Sequence, residues 1–351
     1  MAYFAVSIEE IGTINPIEGA DRIQVATVKG LNFNFVIGKD VFKLNDKVLY
    51  IPIDSVIPQA LAEKLGVAGK LAGKNKDYIK SVKLKGIISQ GIVGHLSLID
   101  GLVDRSPENI TQFLGVTKYE PPEVICHGGK LIRHAENIET YDLEGADRYY
   151  KVADQMMDMP VYISSKIEGS NFYGGVNLLG EFVVGQRSGM IIPDDAGNLT
   201  HTWWVTAKSQ GLLDAAATIR NDLFAGSSVI LRGEIIGPGI QGNYYNVPKY
   251  KVLIFDIKVD DKYLSSGDFI NICNKYNIET VPVLSVGKTL KEWLNGRTVK
   301  EASNHRSMLI DKHEEGIVIK PMVEQHSEVL SGRMCIKQRS AVYLCKVQHE
   351  I

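Results

Sequence analysis

Lys166 stands in Lys166-Ile167-Glu168-Gly169, an amine two residues before a carboxylate and three before a glycine. An amine attacks phosphorus only once deprotonated, so a site built on Lys166 must lower its pKa through nearby cations, a metal or desolvation. Alone the pattern says little, because a lysine beside a turn glycine is usually a solvated surface residue. Its weight comes from five strings downstream, in this order: Gly185-Gln186-Arg187-Ser188-Gly189, then Arg232-Gly233-Glu234-Ile235-Ile236-Gly237-Pro238-Gly239-Ile240-Gln241, Ile254-Phe255-Asp256-Ile257, Glu314-Glu315-Gly316-Ile317-Val318-Ile319-Lys320, and Cys335-Ile336-Lys337-Gln338-Arg339. These strings hold the ingredients of phosphoryl transfer. Arg187, Lys320 and Lys337 offer positive charge for phosphate, Glu168 and Glu315 are hard oxygen donors suited to Mg2+ or Mn2+, and Phe255 offers a flat apolar face for a purine. Each has an ordinary reading as well: Arg187 a solvated loop cation, Phe255 core, Val318 a β-branched strand residue, and Asn171 a turn former after Gly169.

The elements that must position these residues are legible as alternating runs. In the first 100 residues, Tyr3 to Ile8, Arg22 to Val28, Phe33 to Ile37, Lys47 to Ile53 and Ile87 to His95 read as strands, with a helix over Pro58 to Leu65. About five strands in roughly 100 residues suit a small closed barrel such as an OB fold. Tyr119-Glu120-Pro121-Pro122-Glu123 reads as a stiff linker. Domains are therefore expected at 1–118 and 119–351. The second mixes strands (Val161 to Ser165, Phe182 to Gln186, Val229 to Glu234, Val252 to Val259, Gly316 to Ile319) with helices near Leu212 to Leu223 and Gly267 to Tyr276. The fold class is α+β: an OB-like barrel, then antiparallel sheets flanked by helices.

The six elements together resemble the covalent nucleotidyltransferase superfamily of ATP-dependent ligases and mRNA capping enzymes, most closely RNA ligases with an N-terminal OB domain. The resemblance makes Lys166 the nucleophile that takes AMP from ATP. It places Glu168 near metal and ribose and gives the glycine after it, Gly169, to the nucleotide-binding motif. It has Arg187 hold the nucleotide and incoming phosphate, Glu234 accept from ribose hydroxyls, and Phe255 and Val318 sandwich adenine. Glu315 reaches the divalent ion, with Glu314 the alternative. Lys320 contacts phosphate, and Lys337 contacts the α-phosphate, with Arg339 standing where a second lysine is commoner. Asn171 is assigned to the polynucleotide end. Ser165 departs from the family pattern, which often has an acid before the nucleophile, near the adenine amino group. Only 14 residues follow Lys337, and the OB candidate comes first, an order that favours RNA ligases over DNA ligases. Leu49-Tyr50-Ile51-Pro52-Ile53-Asp54-Ser55 and Lys83-Leu84-Lys85-Gly86-Ile87-Ile88-Ser89-Gln90-Gly91 also resemble that family.

The implied activity is joining of RNA 3′-hydroxyl and 5′-phosphate ends, at a nick, splint or hairpin, with RNA/DNA hybrids as further candidates and repair or nick sealing as the context. A capping-type guanylyltransferase and a catalytically inactive RNA-binding protein are the alternatives. Lys70, Lys74, Lys76, Lys80, Lys83 and Lys85 place six lysines within 16 residues, with Asp77 the only acid among them, a natural footprint for a phosphate backbone. The whole chain carries a formal charge of only -2, so an RNA partner must be held by such a local patch. Cys126, Cys273, Cys335 and Cys345 show no CxxC pairing, which argues against a zinc ribbon or a disulfide scaffold. Glu9 and Glu10 fall where a signal peptide needs apolar residues, and no apolar run approaches the roughly 20 residues of a span. An intracellular, cytoplasmic monomer without membrane association is expected.

Overall fold

The computed structural model describes residues 3–119, 129–134, 138–194, 197 and 199–347. The expected linker residues Glu120 to Glu123, and Cys126, lie outside them. The described chain forms two compact units. The first contains residues up to Tyr119 together with 144–151 and 341–347, and the second the rest. A single cut after residue 118 does not capture those two later segments.

In the first unit five strands run in the order Asn34–Gly38, Ile23–Val28, Ser7–Pro16, Lys47–Ile51, Ile92–Gly94. The barrel all but closes where the Gln90 N–H donates to the Asn34 carbonyl at 2.7 Å. Ile11, Ala26, Val28, Phe35, Ile37 and Tyr50 fill its interior. The expected strand Ile87 to His95 is instead two, Ile87–Ser89 and Ile92–Gly94. Gly91 separates them at φ +116, and a Cβ there would lie 2.7 Å from the Tyr50 ring, whose hydroxyl donates to the Gln90 carbonyl. The first strand begins at Ser7 rather than Tyr3. Helix Gln59–Lys64 falls where expected.

The second unit is built on two antiparallel sheets. One runs Lys130–Ile132, Gly189–Ile192, Phe182–Gln186, Ser170–Val176, Val229–Ile236, Lys251–Val259, Lys262–Tyr263. In the other, Ile336–Arg339, Gly316–Pro321, Pro160–Lys166 and Val283–Thr289 lie side by side. Helix Leu212–Leu223 buries Leu212, Leu213, Ala216 and Ile219, one helical face, into the largest core with Phe172, Trp203, Leu231 and Ile257. Asp214 in its first turn and Arg220 in its last oppose the helix dipole.

Charge is also buried here. Asp256, wholly buried, takes Lys320 at 2.8 Å on one oxygen, and Arg333 at 2.9 Å and the Tyr141 hydroxyl at 3.0 Å on the other. Burial alone raises the carboxyl pKa, but the two cations hold it below the ordinary value. Asp256→Ala leaves Lys320 buried and unpaired, and is expected to destabilise the protein by about 3–5 kcal/mol in denaturant titration.

Candidate active site

Lys166 is the last residue of Pro160–Lys166 in one sheet, and Ser170 the first of Ser170–Val176 in the other. The turn Ile167-Glu168-Gly169 thus crosses from sheet to sheet. Ile167 is buried among Ile236, Tyr245, Leu253 and Val281 and anchors the crossing. Gly169 is dictated by contact: a Cβ would meet the Ile235 carbonyl at 2.6 Å and the Glu234 side chain at 2.8 Å. Tyr245 fixes the turn further, its hydroxyl accepting from the Glu168 N–H at 2.9 Å and donating to Glu314 at 2.5 Å. The two neighbouring acids take different places. Glu314 is fully buried behind the turn, while Glu315 meets the Lys166 ammonium at 2.6 Å.

The strand register collects the rest. Lys166 pairs with Gly316 and Gly316 with Arg339, while Ser164 pairs with Val318 and Val318 with Lys337. Paired residues share a face, so Lys166, Val318, Lys337 and Arg339 line one side of this sheet. Gly316 leaves the space between Lys166 and Arg339 open, and a Cβ there would sit 2.1 Å from the Gln338 carbonyl. In the other sheet Asn171 lies directly across from Glu234. Phe255 falls at a register shift: Arg232 pairs with Asp256 but Gly233 with Ile254, and this bulge sets Phe255, half-buried, apart from its buried neighbours.

Electrostatics join these residues into one site. Burial lowers the Lys166 pKa, but the carboxylates of Glu315, Glu234 and Glu168 outweigh it and raise the amine above its ordinary value. The expectation of a lowered lysine pKa is corrected accordingly: without nucleotide, Lys166 is a held ammonium. Glu234 is pushed up to about 8, first by burial and then by Glu315 and Glu168, against the pull of Lys166 and Lys337. Lys337 is lowered by burial, and further by Lys166 and Arg339, against Asp142. Among the described residues no three His, Cys, Asp or Glu side chains form a ready metal cage. The excess of carboxylate over ammonium around Lys166 nonetheless suits a divalent ion held by one or two carboxylates and completed by phosphate and water.

Two side chains meet partners that motif spacing does not announce. Lys320 is 2% exposed, with its ammonium on Asp256 and the Phe255 carbonyl. Alternation keeps Lys320 on the sheet face of Val318 and Lys166, and the buried acid opposite, Asp256, takes its charge. Ser165 points to the opposite face from Lys166, buried and bonded to His305 Nε2 at 3.1 Å, so it does not present its side chain on the Lys166 side. Arg187, in the hairpin turn Gln186–Gly189, pairs with Asp142 at 3.1 Å, and Lys337 pairs with the same carboxylate at 3.2 Å. Asp142 and Tyr141, whose ring lies 4.9 Å from Phe255, were not flagged in the sequence. They follow no motif, and their only signal is an aromatic and an acid next to each other before the nucleophile strand. The cluster from Lys70 to Lys85 lies in the first unit, exposed except for half-buried Lys80.

A lysine at the joint of two antiparallel sheets, ringed by carboxylates and flanked by cations, in a chain with an OB-like barrel, defines a nucleotidyltransferase-type ligase. The RNA ligase family model matches residues 159–338, just over half of the sequence, and the chain belongs to that family. An OB-fold domain model matches residues 5–96. No curated protein sequence matches the chain. Among solved structures it resembles Naegleria gruberi RNA ligase with pyrophosphate, at 22% identity over 98% of both chains and a TM-score of 0.79. A mutant of that enzyme with ATP and Mn matches at 22% identity, 97% of this chain and 98% of that one, TM-score 0.77. Another with AMP and Mn gives 22%, 97%, 98% and 0.76. At this identity the likeness shows a shared fold. No helix among the described residues is long and apolar enough to cross a membrane.

If Glu315 holds Lys166 charged, the amine should react with an acylating probe only at pH above the ordinary lysine range. Glu315→Gln is expected to shift that profile to lower pH, read by mass spectrometry of the Lys166 peptide. An unmoved profile would show that Glu315 does not set the charge.

Proposed function

We propose that this chain is an ATP-dependent RNA ligase working through a lysyl-AMP intermediate on Lys166. The observation that carries the reading is the Lys166 ammonium among Glu168, Glu234 and Glu315 with Lys337 beside it on the same sheet face, in a member of the RNA ligase family. The Naegleria gruberi neighbours with ATP and Mn, and with AMP and Mn, support the choice of nucleotide and ion.

In the first step the Lys166 nitrogen bonds to the α-phosphorus, the bond to the bridging oxygen breaks, and pyrophosphate departs with that electron pair. A 5′-phosphate oxygen then displaces the lysine and takes the AMP. Finally a 3′-hydroxyl oxygen attacks the activated 5′-phosphorus and releases AMP. All three steps need little beyond placement and neutralised charge. Lys337 and Arg187 hold phosphate oxygens. Phe255 and Val318 enclose adenine, and Glu234, able to keep or lose its proton near neutral pH, takes the ribose hydroxyls. Asn171, across from Glu234 with its side-chain oxygen buried and unpaired, faces the polynucleotide end. Glu168 and Glu315 hold Mg2+ or Mn2+. When bound, the ion supplies the positive charge that offsets these carboxylates and lets the amine shed its proton. Before that, Glu315 keeps the ammonium aimed and unreactive. The barrel unit holds RNA through Lys70, Lys74, Lys76, Lys80, Lys83 and Lys85, while the second unit performs adenylylation. We read the substrate as a nick in a duplex, RNA or RNA/DNA hybrid, and the protein as an intracellular monomer.

Mass spectrometry after ATP and a divalent ion is expected to find one AMP adduct, on Lys166, lost in Lys166→Ala. A GMP adduct instead would identify a guanylyltransferase, and no adduct would sink the reading. Reversing the charge of the six lysines is expected to weaken RNA joining about tenfold or more at moderate salt. Adenylylation should stay nearly intact, and equal loss of both steps would refute the division between units.

A further inference from the structure

Asp142 belongs to the stretch Ile138 to Leu143, which carries no strand or helix and is tethered by its own side chains. Glu139 accepts from buried Lys258 and from the Tyr263 hydroxyl, and its carbonyl accepts from Arg232 at 2.8 Å. Tyr141 donates to Asp256 at 3.0 Å. Between these anchors and the nucleophile strand, Asp142 is turned inward, its side chain 13% exposed. One oxygen takes the Arg187 guanidinium at 3.1 Å and the other the Lys337 ammonium at 3.2 Å. The two cations come from different sheets, Arg187 from a hairpin turn of the first and Lys337 from a strand of the second. A carboxylate bridging them presents two anionic oxygens, as one edge of a phosphate group does. Lys337 also feels Lys166 and Arg339 as like charges, so this group of cations needs an anion whenever no phosphate is present.

We propose that Asp142 is a built-in stand-in for phosphate: it holds Arg187 and Lys337 in the nucleotide-free protein and is displaced from them by the phosphates of an incoming nucleoside triphosphate. The proposal rests on the nucleotide-site reading and adds to it an internal competitor. Phosphate-bearing ligands bind more weakly than the bare cation pair would allow. The cations stay aligned between turnovers, and Asp142 returns once the last phosphate group, that of AMP, has left. Adenosine, which has no phosphate, does not meet this competition.

Calorimetric titration of wild type, Asp142→Asn and Asp142→Glu with ATP, inorganic pyrophosphate and adenosine, each with a divalent ion, tests it. ATP is titrated in a Lys166→Met background so that binding is not followed by transfer. Asp142→Asn is expected to bind ATP and pyrophosphate about five- to tenfold more tightly, with adenosine unchanged and Asp142→Glu close to wild type. Equal or weaker binding of both anions by Asp142→Asn overturns the proposal and leaves Asp142 an ordinary positioning residue. The same comparison runs in unaltered protein through hydrogen exchange. Pyrophosphate should raise exchange across residues 138–143 as Asp142 lets go, and unchanged or slower exchange overturns the proposal independently of how the variants fold. If wild type binds neither ATP nor pyrophosphate, the nucleotide-site reading itself fails. If it binds both and the asparagine variant gains nothing, only the stand-in role does.

Discussion

One ammonium must balance several carboxylates where two sheets meet. Lys166 ends a strand of one sheet, Glu234 sits in the other, Glu168 lies in the turn between them, and Glu315 precedes the strand paired with Lys166. These acids would repel one another in a half-buried place, and the climb of the Glu234 pKa to about 8 reflects that repulsion on top of its burial. The arrangement tolerates them because Lys166 answers all of them at once. The same balance keeps the Lys166 amine protonated. On the proposed reading, such a site would be switched by its substrate, since a divalent ion arriving with a triphosphate would offset the carboxylates.

The Asp256 cluster uses similar groups to the opposite end. There a single buried carboxylate faces Lys320 and Arg333, with Glu324 completing Arg333 at 2.6 Å. Cations and anions are matched around a buried carboxylate, which fixes the sheet behind Phe255. Acids clustered around one lysine mark the Lys166 site, and one acid between two cations marks the scaffold. Asp142 stands between these cases, matching two cations whose assigned partners are phosphates.

This contrast explains how far the sequence could be read. Helix Leu212–Leu223 and strand Phe182–Gln186 carry clear periodicity and lie as expected. Strand Ser170–Val176 escaped because Gly174 and Gly175 blur its alternation, although each glycine is required by a close neighbour, the Phe172 ring and the Val229 carbonyl. Motif spacing named Lys166, Glu168, Glu234 and Glu315, and the fold brings their charges together. Spacing does not say which distant partner a side chain meets, so it could not show that Lys320 turns to Asp256 or Ser165 to His305. Nor could it find Glu139, Tyr141 and Asp142. Their roles come from partners 45 to 195 residues away, and nothing local in their types announces them.

What the turn itself contributes is rigidity. Ile167 is sunk in a core, Gly169 is pressed against the neighbouring strand, and Tyr245 ties the Glu168 amide to Glu314 on the far side. The backbone around the nucleophile therefore has little room to respond to ligand. On the proposed reading, adjustment on nucleotide binding would fall to side-chain charges, the Lys166 ammonium leaving Glu315 and Lys337 leaving Asp142. Such changes cost less than moving packed strands, and they leave the amine aimed along one line through the reaction. On the proposed reading, a fixed turn lets a half-buried lysine stay charged while waiting and give up its proton only when nucleotide arrives.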